Sequence, residues 1–258
     1  MSNLKIITSN IRFANSDDGI HDWSVRLPLL VDIYKNYGPD LLGTQEGRHK
    51  QIKELDEKLT ELELLDTHRD WIDVRMYPCL YVNTKVIEAH KTGDIWLSET
   101  PAVPGSSSFE SSFPRLCTWA EISIKKSGLK LMVVNTHLDH ILSSTREKQI
   151  EVLIREVKKI NNYPLIIMGD FNESPSTEIK KNLMKAFDLK DPWIEKKYPE
   201  EASHHSFKGH KAESGVRIDW ILIPEKFDCT DLSFNKSASP EGIYPSDHYP
   251  LLATVIPK

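Results

Sequence analysis

Pro164-Leu165-Ile166-Ile167-Met168-Gly169-Asp170-Phe171-Asn172 sets a short apolar run directly before a polar box. Leu165–Met168 is apolar and β-branched at its centre, which predicts a buried strand. A carboxylate and a carboxamide therefore stand where a sheet delivers side chains into a cleft. Taken alone, Gly-Asp after a strand reads equally as a turn, given the turn chemistry of both residues. Company separates the two readings, because other apolar stretches of this chain also end in, or carry, polar groups.

Working outward, Leu4–Ile11 reads as a first strand ending in Ser9-Asn10. Asp22 is placed to cap a helix to about Tyr37, with Leu27, Leu30, Val31, Ile33 and Tyr34 inward, Pro28 in its first turns and Gly38-Pro39 as its stop. Asp40–Thr44 predicts a second strand that delivers Gln45-Glu46. A helix over Arg48–Thr60 spaces Ile52, Leu55 and Leu59 helically and leaves its Lys and Glu residues to solvent. Strands follow near Pro78–Asn83 and Ile95–Ser98. Thr100–Pro114, rich in Pro, Ser and Gly, is a long loop, and loops of that length are either functional or mobile. Arg115–Ile124 and Lys130–Thr136 form a hairpin around Lys125–Gly128, and a helix begins at Ser144 or Thr145. A mostly helical and loop region extends to His210, before strands Val216–Ile223 and Leu251–Ile256. No repeat, linker or domain boundary interrupts the pattern, so residues 1–258 read as a single domain.

Composition bounds the function. With 258 residues, 39% apolar content and six Trp, the chain supports a large core and disorder is excluded. A formal charge of −5 gives no footprint for gripping long polyanions, so extended nucleic acid is not a favoured partner. Cys79, Cys117 and Cys229 are odd in number and widely spaced, consistent with reduced thiols. The opening Met1–Ile7 moves into a strand-like run without a long apolar segment. The expectation is a cytoplasmic protein with no membrane span, and with no protein partner evident, a monomer.

The polar groups gathered at strand ends or faces are Asn10, Glu46, Asn135 with His137, Asp170 with Asn172, Asp219, and Asp247 with His248. The set lacks a Gly-x-Ser-x-Gly elbow, a phosphate-binding glycine loop and a zinc spacing. It is rich in oxygen donors, which suit the hard cations Mg²⁺ or Mn²⁺. Such an ion polarises a phosphoryl oxygen, while in-line attack also needs an oriented water and donors around the equatorial oxygens. Asp170, Asn172, His137 and His248 are the side chains able to fill those roles. Asp219 is otherwise a costly charge within a strand, and His248 supplies the partner it needs.

Ser9-Asn10-Ile11, Gln45-Glu46, Asn135-Thr136-His137-Leu138-Asp139, Gly169-Asp170-Phe171-Asn172, Arg217-Ile218-Asp219-Trp220-Ile221 and Ser246-Asp247-His248-Tyr249-Pro250 follow one another in order. In this the chain resembles the endonuclease/exonuclease/phosphatase superfamily, from Asn10 to Pro250. The resemblance implies an α/β (α+β) fold, a four-layer α/β sandwich of two packed mixed β-sheets flanked by helices, with the site at one end. It also implies a divalent-metal-dependent phosphohydrolase. Glu46 is then the central metal ligand, with Asn10 and, through water, Asp247. Asp170 orients or deprotonates the attacking water and Asn172 holds it or the phosphate. His137 contacts a phosphate oxygen, and His248, oriented by Asp219, stabilises the transition state as base or as clamp.

Arg115 is placed either to clamp a substrate phosphate bidentately or to form a surface ion pair, and Asn135 either to line the substrate site or to orient a neighbour. His204-His205 and His210 lack accompanying ligands, and read as a loop near the mouth of the site or as surface. Trp119 and Trp220 read as core. The stretch Asn10–Gly19 is acidic and lacks the Trp-Asn-type box of the DNA-repair branch. The preferred substrate is a small or single-stranded phosphodiester, with phosphomonoesterase or nuclease activity as alternatives. A binding protein on the same fold without activity is the competing class, against which stands the presence of every residue the chemistry needs.

Overall fold

The computed structural model describes residues 3–211 and 215–258. In chain order its elements are β1 (Leu4–Asn10), α1 (Trp23–Tyr37), β2 (Leu41–Gly47), α2 (His49–Asp56), β3 (Glu63–Leu64), β4 (Tyr77–Val82), β5 (Ile87–Trp96), β6 (Leu116–Ile124) and β7 (Leu129–His137). Then come α3 (Ser143–Ile160), β8 (Leu165–Asp170), α4 (Glu178–Phe187), β9 (Leu189–Lys190), α5 (Pro192–Glu195), β10 (Asp219–Pro224), β11 (Phe227–Phe234) and β12 (Leu251–Pro257). Two six-stranded mixed sheets result, ordered β11-β12-β1-β2-β4-β3 and β5-β6-β7-β8-β10-β9.

Side-chain alternation explains the layering. In β1, Leu4 and Ile6 face the space between the sheets, whereas Ile7 joins Leu30, Tyr34, Ile52 and Leu55 beneath α1 and α2. In β8, Ile166 and Met168 face the first sheet, whereas Leu165 and Ile167 pack on Leu153, Val157 and Leu183 of α3 and α4. Each strand is thus apolar on both faces, which only helices outside and a second sheet inside can cover. The fold is the four-layer sandwich expected. No described helix is long and apolar enough to cross a membrane.

Local chemistry sets the boundaries. The Asp22 carboxylate accepts from Ser24 N at 2.9 Å and caps α1, and Gly38 ends it in the left-handed region at φ 64°. α2 stops at Asp56, short of the expected Thr60, and β10 begins at Asp219 rather than Val216. β11 and most of β5 escaped the sequence reading. Both are edge strands, each interrupted by a bulge, at Cys229/Asp231 and Ala89/Lys91, and the exposed residues of each break the apolar alternation. Cys79 and Cys117 are buried thiols, Cys229 is half-buried, and Trp220 is core.

Polar clamps tie the sheets together. Asn135 of β7 donates to Thr44 O and Cys79 O, both at 2.8 Å, and accepts from Gln45 Nε2 at 2.7 Å. Arg69 does the same beside β4. Its guanidinium meets both oxygens of Asp94 at 2.7 Å and one of Asp66 at 2.9 Å, and lies over the rings of Trp71 and Tyr77. Burial works against the Asp94 charge, but hydrogen bonds from Arg69 and His68 hold its pKa at about 2. Arg69→Met strands the buried Asp66 and the half-buried Asp94 carboxylates, so about 3–5 kcal/mol of stability is expected to disappear in urea denaturation at neutral pH. The Asp94 share is present above its ordinary titration range near 4 and is lost as pH falls through about 2.

Candidate active site

Strand register assembles the expected residues. β7 and β8 are parallel with His137 opposite Asp170, and β8 and β10 are antiparallel with Asp170 opposite Asp219, so three neighbouring strands bring one polar row to their ends. Gly169 permits this close approach: at φ 143° any Cβ would collide with the Thr136 carbonyl oxygen. In the other sheet Asn10 pairs with Gln45 and brings Glu46 alongside. Glu46, His137 and Asp170 converge with Asn172, Asp247 and His248 in one cleft of about 380 Å³, with Asn10 and Asp219 buried behind them.

Three residues of the site hold left-handed backbone without being glycine: Arg12 (φ 55°), Glu46 (φ 66°), at the register shift near the end of β2, and Asn172 (φ 49°). Such conformations cost energy and persist only where the surroundings enforce them. Here the enforcing bonds are visible. Phe13 N donates to Glu46 Oε2 at 3.1 Å, Arg12 N to Asn10 Oδ1 at 3.0 Å, and Asn172 N to Asp170 Oδ1 at 2.9 Å.

Asn10 Nδ2 bridges two carboxylates, Glu46 Oε1 at 3.0 Å and Asp170 Oδ2 at 2.9 Å. It thus presents its amide nitrogen to the carboxylates and spends its oxygen on the Arg12 backbone, orienting Glu46 and Asp170 rather than facing the cleft as an oxygen ligand. Glu46, His137 and Asp170 offer ligand atoms within 4.8 Å of one another. Among the described residues no Lys or Arg is ion-paired with Glu46 or Asp170. Two converging carboxylates with no Lys or Arg partner form a donor set that fits a hard divalent ion.

Electrostatics divides the titratable groups. Burial, then repulsion from Asp219, pushes the Asp170 pKa up to about 7. His248 moves well above its ordinary value although burial opposes this, because Asp219 and Asp170 face it. Its Nδ1 lies 2.8 Å from Asp219 Oδ2 and its Nε2 3.8 Å from Asp170 Oδ2. His137 goes the other way, lowered well below the ordinary value by burial and by Arg115. Arg115 Nη1 lies 2.9 Å from His137 Nδ1. A guanidinium can only donate, so Nδ1 accepts and the neutral ring carries its proton on Nε2, 3.4 Å from Asp170 Oδ2.

Arg115 is therefore neither in a surface ion pair nor free to clamp with its whole fork. It lines the cleft with Nη1 on His137 and Nη2 3.3 Å from His140 Nδ1, and among the described residues no carboxylate pairs with it. Asn135 does not line the substrate site. It is fully buried and all its amide bonds run between the sheets, so its role is to orient Gln45 and the β2 end that carries Glu46. Asn172 lies in the cleft and donates to Leu138 O at 3.1 Å. Asp247 lies 3.8 Å from Arg12 and 3.7 Å from His204.

Arg12, His140 and His204 line the cleft and were not singled out as site residues from the sequence. Arg12 and His140 lie next to boxes that were, so adjacency was the available signal. The end of the long loop is anchored: Ser112 N and Oγ donate to Asp139 Oδ2 at 2.9 and 2.6 Å, which sets Phe113 at the rim. His205 is buried against Tyr249, and His210 lies outside the cleft.

The sequence model of the Endonuclease/Exonuclease/phosphatase family matches residues 7–248. No curated protein matches the chain significantly. Among solved structures, the endonuclease/exonuclease/phosphatase from Bacteroides vulgatus is 26% identical, with 100% of both chains covered and a TM-score of 0.89. A mannosyl-6-phosphatase of Bacteroides thetaiotaomicron is 26% identical over 98% of this chain and 99% of its own, with a TM-score of 0.85. At 18% identity, D. rerio TDP2 complexed with a single-strand DNA product shares the fold over 99% of this chain and 100% of its own, with a TM-score of 0.75.

Proposed function

The chain belongs to the endonuclease/exonuclease/phosphatase family, and from that premise we propose that residues 1–258 act as one catalytic domain, a divalent-metal-dependent hydrolase of small phosphate esters. The observation that carries this reading is that His137, Asp170 and His248 are set against Glu46 in a single cleft, with Asp219 buried behind His248. Mg²⁺ or Mn²⁺ would be held by Glu46 with Asp170 at hand, and when bound would supply Lewis-acid polarisation of the phosphoryl and leaving oxygens.

The remaining steps belong to the side chains. Asp170, with its pKa pushed toward neutrality, accepts a proton from the attacking water and is kept in place by Asn10 and the Asn172 backbone. His137 offers Nε2–H to a non-bridging phosphoryl oxygen, a tautomer maintained by Arg115. His248 enters as imidazolium, held by Asp219, and opposes the negative charge that builds on the phosphoryl group. Of base and clamp, the clamp reading fits His248 better, because the two pKa values are pushed in ways that leave Asp170 the proton acceptor.

The sequence favours a phosphodiester substrate. A phosphomonoester is the second reading, favoured by the similarity to a mannosyl-6-phosphatase over almost the whole chain and by a guanidinium in the cleft with no carboxylate partner. Initial rates on bis-(p-nitrophenyl) phosphate, p-nitrophenyl phosphate, sugar phosphates, inositol phosphates, nucleotides and RNA separate these outcomes. Hydrolysis with Mg²⁺ or Mn²⁺, its loss in EDTA and its recovery on re-addition of the ion are expected. Failure on every ester with either ion would overturn the hydrolase reading in favour of a binding protein.

A further inference from the structure

His204 lies outside every box read from the sequence, yet the backbone fixes its place: it forms an isolated antiparallel bridge with His248. Directly opposed residues of such a pair carry their side chains on one face, with Cβ atoms about 5 Å apart. The two imidazole centroids accordingly lie 4.7 Å apart, with their planes inclined by 48°. Asp247 completes the group. Its Oδ2 is 3.7 Å from His204 Nε2, and His204, Asp247 and His248 each offer a ligand atom within 4.8 Å of the others. Ligands at zinc distances in a tetrahedron stand about 3.3 Å from one another; the His204–Asp247 pair is near that spacing, and rotation of His204, whose side chain is 44% exposed, together with a turn of the Asp247 carboxylate toward His248 would close the set.

This donor set differs in kind from the oxygen-rich one around Glu46. Two imidazole nitrogens and one carboxylate favour Zn²⁺, Co²⁺ or Ni²⁺ over Mg²⁺. The supporting shell is also in place. Asp219 holds His248 through Nδ1 at 2.8 Å and leaves Nε2 toward the cleft, the carboxylate–histidine arrangement that orients and strengthens an imidazole ligand; the ion takes the place of the Nε2 proton, which is released to solvent on binding. Arg12, the nearest cation to Asp247, is itself engaged by Asp18 at 3.0 Å.

We propose that His204, Asp247 and His248 form a second divalent-metal site, selective for nitrogen-preferring ions, whose occupation withdraws His248 from the phosphoester site and inhibits turnover. The inhibitory half rests on the hydrolase reading above, whereas the binding half does not.

Titrating the purified protein with Co²⁺ in excess Mg²⁺, followed by displacement with Zn²⁺, reads the site by visible absorption without any substrate. A Mg²⁺-insensitive Co²⁺ spectrum is expected in the native protein. Zinc affinity, measured by competition with a chromophoric chelator, should fall about 100-fold in His204→Gln. His204→Cys should retain the ion and add a thiolate-to-cobalt band, which ties the signal to this position even if the Gln variant folds poorly. In turnover at saturating Mg²⁺, the zinc concentration for half-inhibition should rise by the same factor in His204→Gln. No Mg²⁺-insensitive spectrum, or a zinc affinity unchanged in His204→Gln, overturns the site. Zinc binding at His204 without inhibition overturns the regulatory half, and binding in a protein that hydrolyses no ester overturns the hydrolase reading alone.

Discussion

Asp170→Asn is expected to lower kcat by about 10²–10⁴-fold, the range for loss of a positioned general base, and at the same time to stabilise the metal-free protein above neutral pH. The two effects share one cause. Asp170 is buried beside Asp219, and its native pKa of about 7 lies above the value it has in the unfolded chain. A carboxylate whose pKa is raised by folding stabilises the native state only while it is protonated, so its contribution is lost as pH rises from about 4 through about 7. In EDTA the native protein should therefore become less stable across that window, while Asp170→Asn should not show that fall. At pH 8 the variant should melt about 5 °C higher. The Mg²⁺-induced rise in Tm, largest for the native protein at high pH, should shrink in the variant because the ion no longer relieves a repelled charge. A variant that loses turnover and is also less stable at pH 8 would show that Asp170 is a structural carboxylate. One that keeps turnover would remove it from the mechanism.

How much of this site the sequence disclosed depended on where each residue lies along a strand. Gly169-Asp170, Asn10, Glu46 and His137 follow apolar runs whose ends are visible as changes of composition, and strand register then aligns them with no further information. Asp219 was legible because a carboxylate at the start of an apolar strand demands a partner, and His248 was the available one. Asn135 misled because it sits in the same box as His137. The two lie two residues apart and share the face of β7 turned to the first sheet, but only His137 stands at the strand end, whereas the Asn135 amide is buried between the sheets against Thr44 and Cys79. His204 was legible only as a loop residue near the mouth of the site or on the surface, because no apolar run frames it and its bridge to His248 is what brings it to the cleft. Arg115 was recognised as a candidate, but its action through two histidine rings depends on distances that no spacing in the chain encodes. The edge strands β5 and β11 lay beyond reach because bulged, half-exposed strands carry no periodic pattern.

His248→Ala is expected to cost about 10³-fold in kcat/KM, as loss of a preorganised cation facing the transition state does. Asp219→Asn tests why. If Asp219 acts only by keeping His248 charged and oriented, its removal should cost a comparable factor at pH 8, and the double variant should be no worse than His248→Ala alone. The pH profile carries the sharper test. With Asp219 in place the imidazolium persists well above the ordinary histidine range, so the native enzyme should show no loss of activity from His248 deprotonation near pH 7. Without it, the largest charge opposing burial is gone and the pKa drops, so an alkaline limb should appear at lower pH than in the native enzyme, with activity partly regained as pH is lowered. This direction distinguishes the clamp from the base. A His248 acting as proton acceptor would instead gain activity as pH rises and its ring loses the proton. Additive losses in the two single variants, or an unshifted profile in Asp219→Asn, would mean that Asp219 and His248 do not act as a pair. The 2.8 Å contact would then serve the fold rather than the reaction.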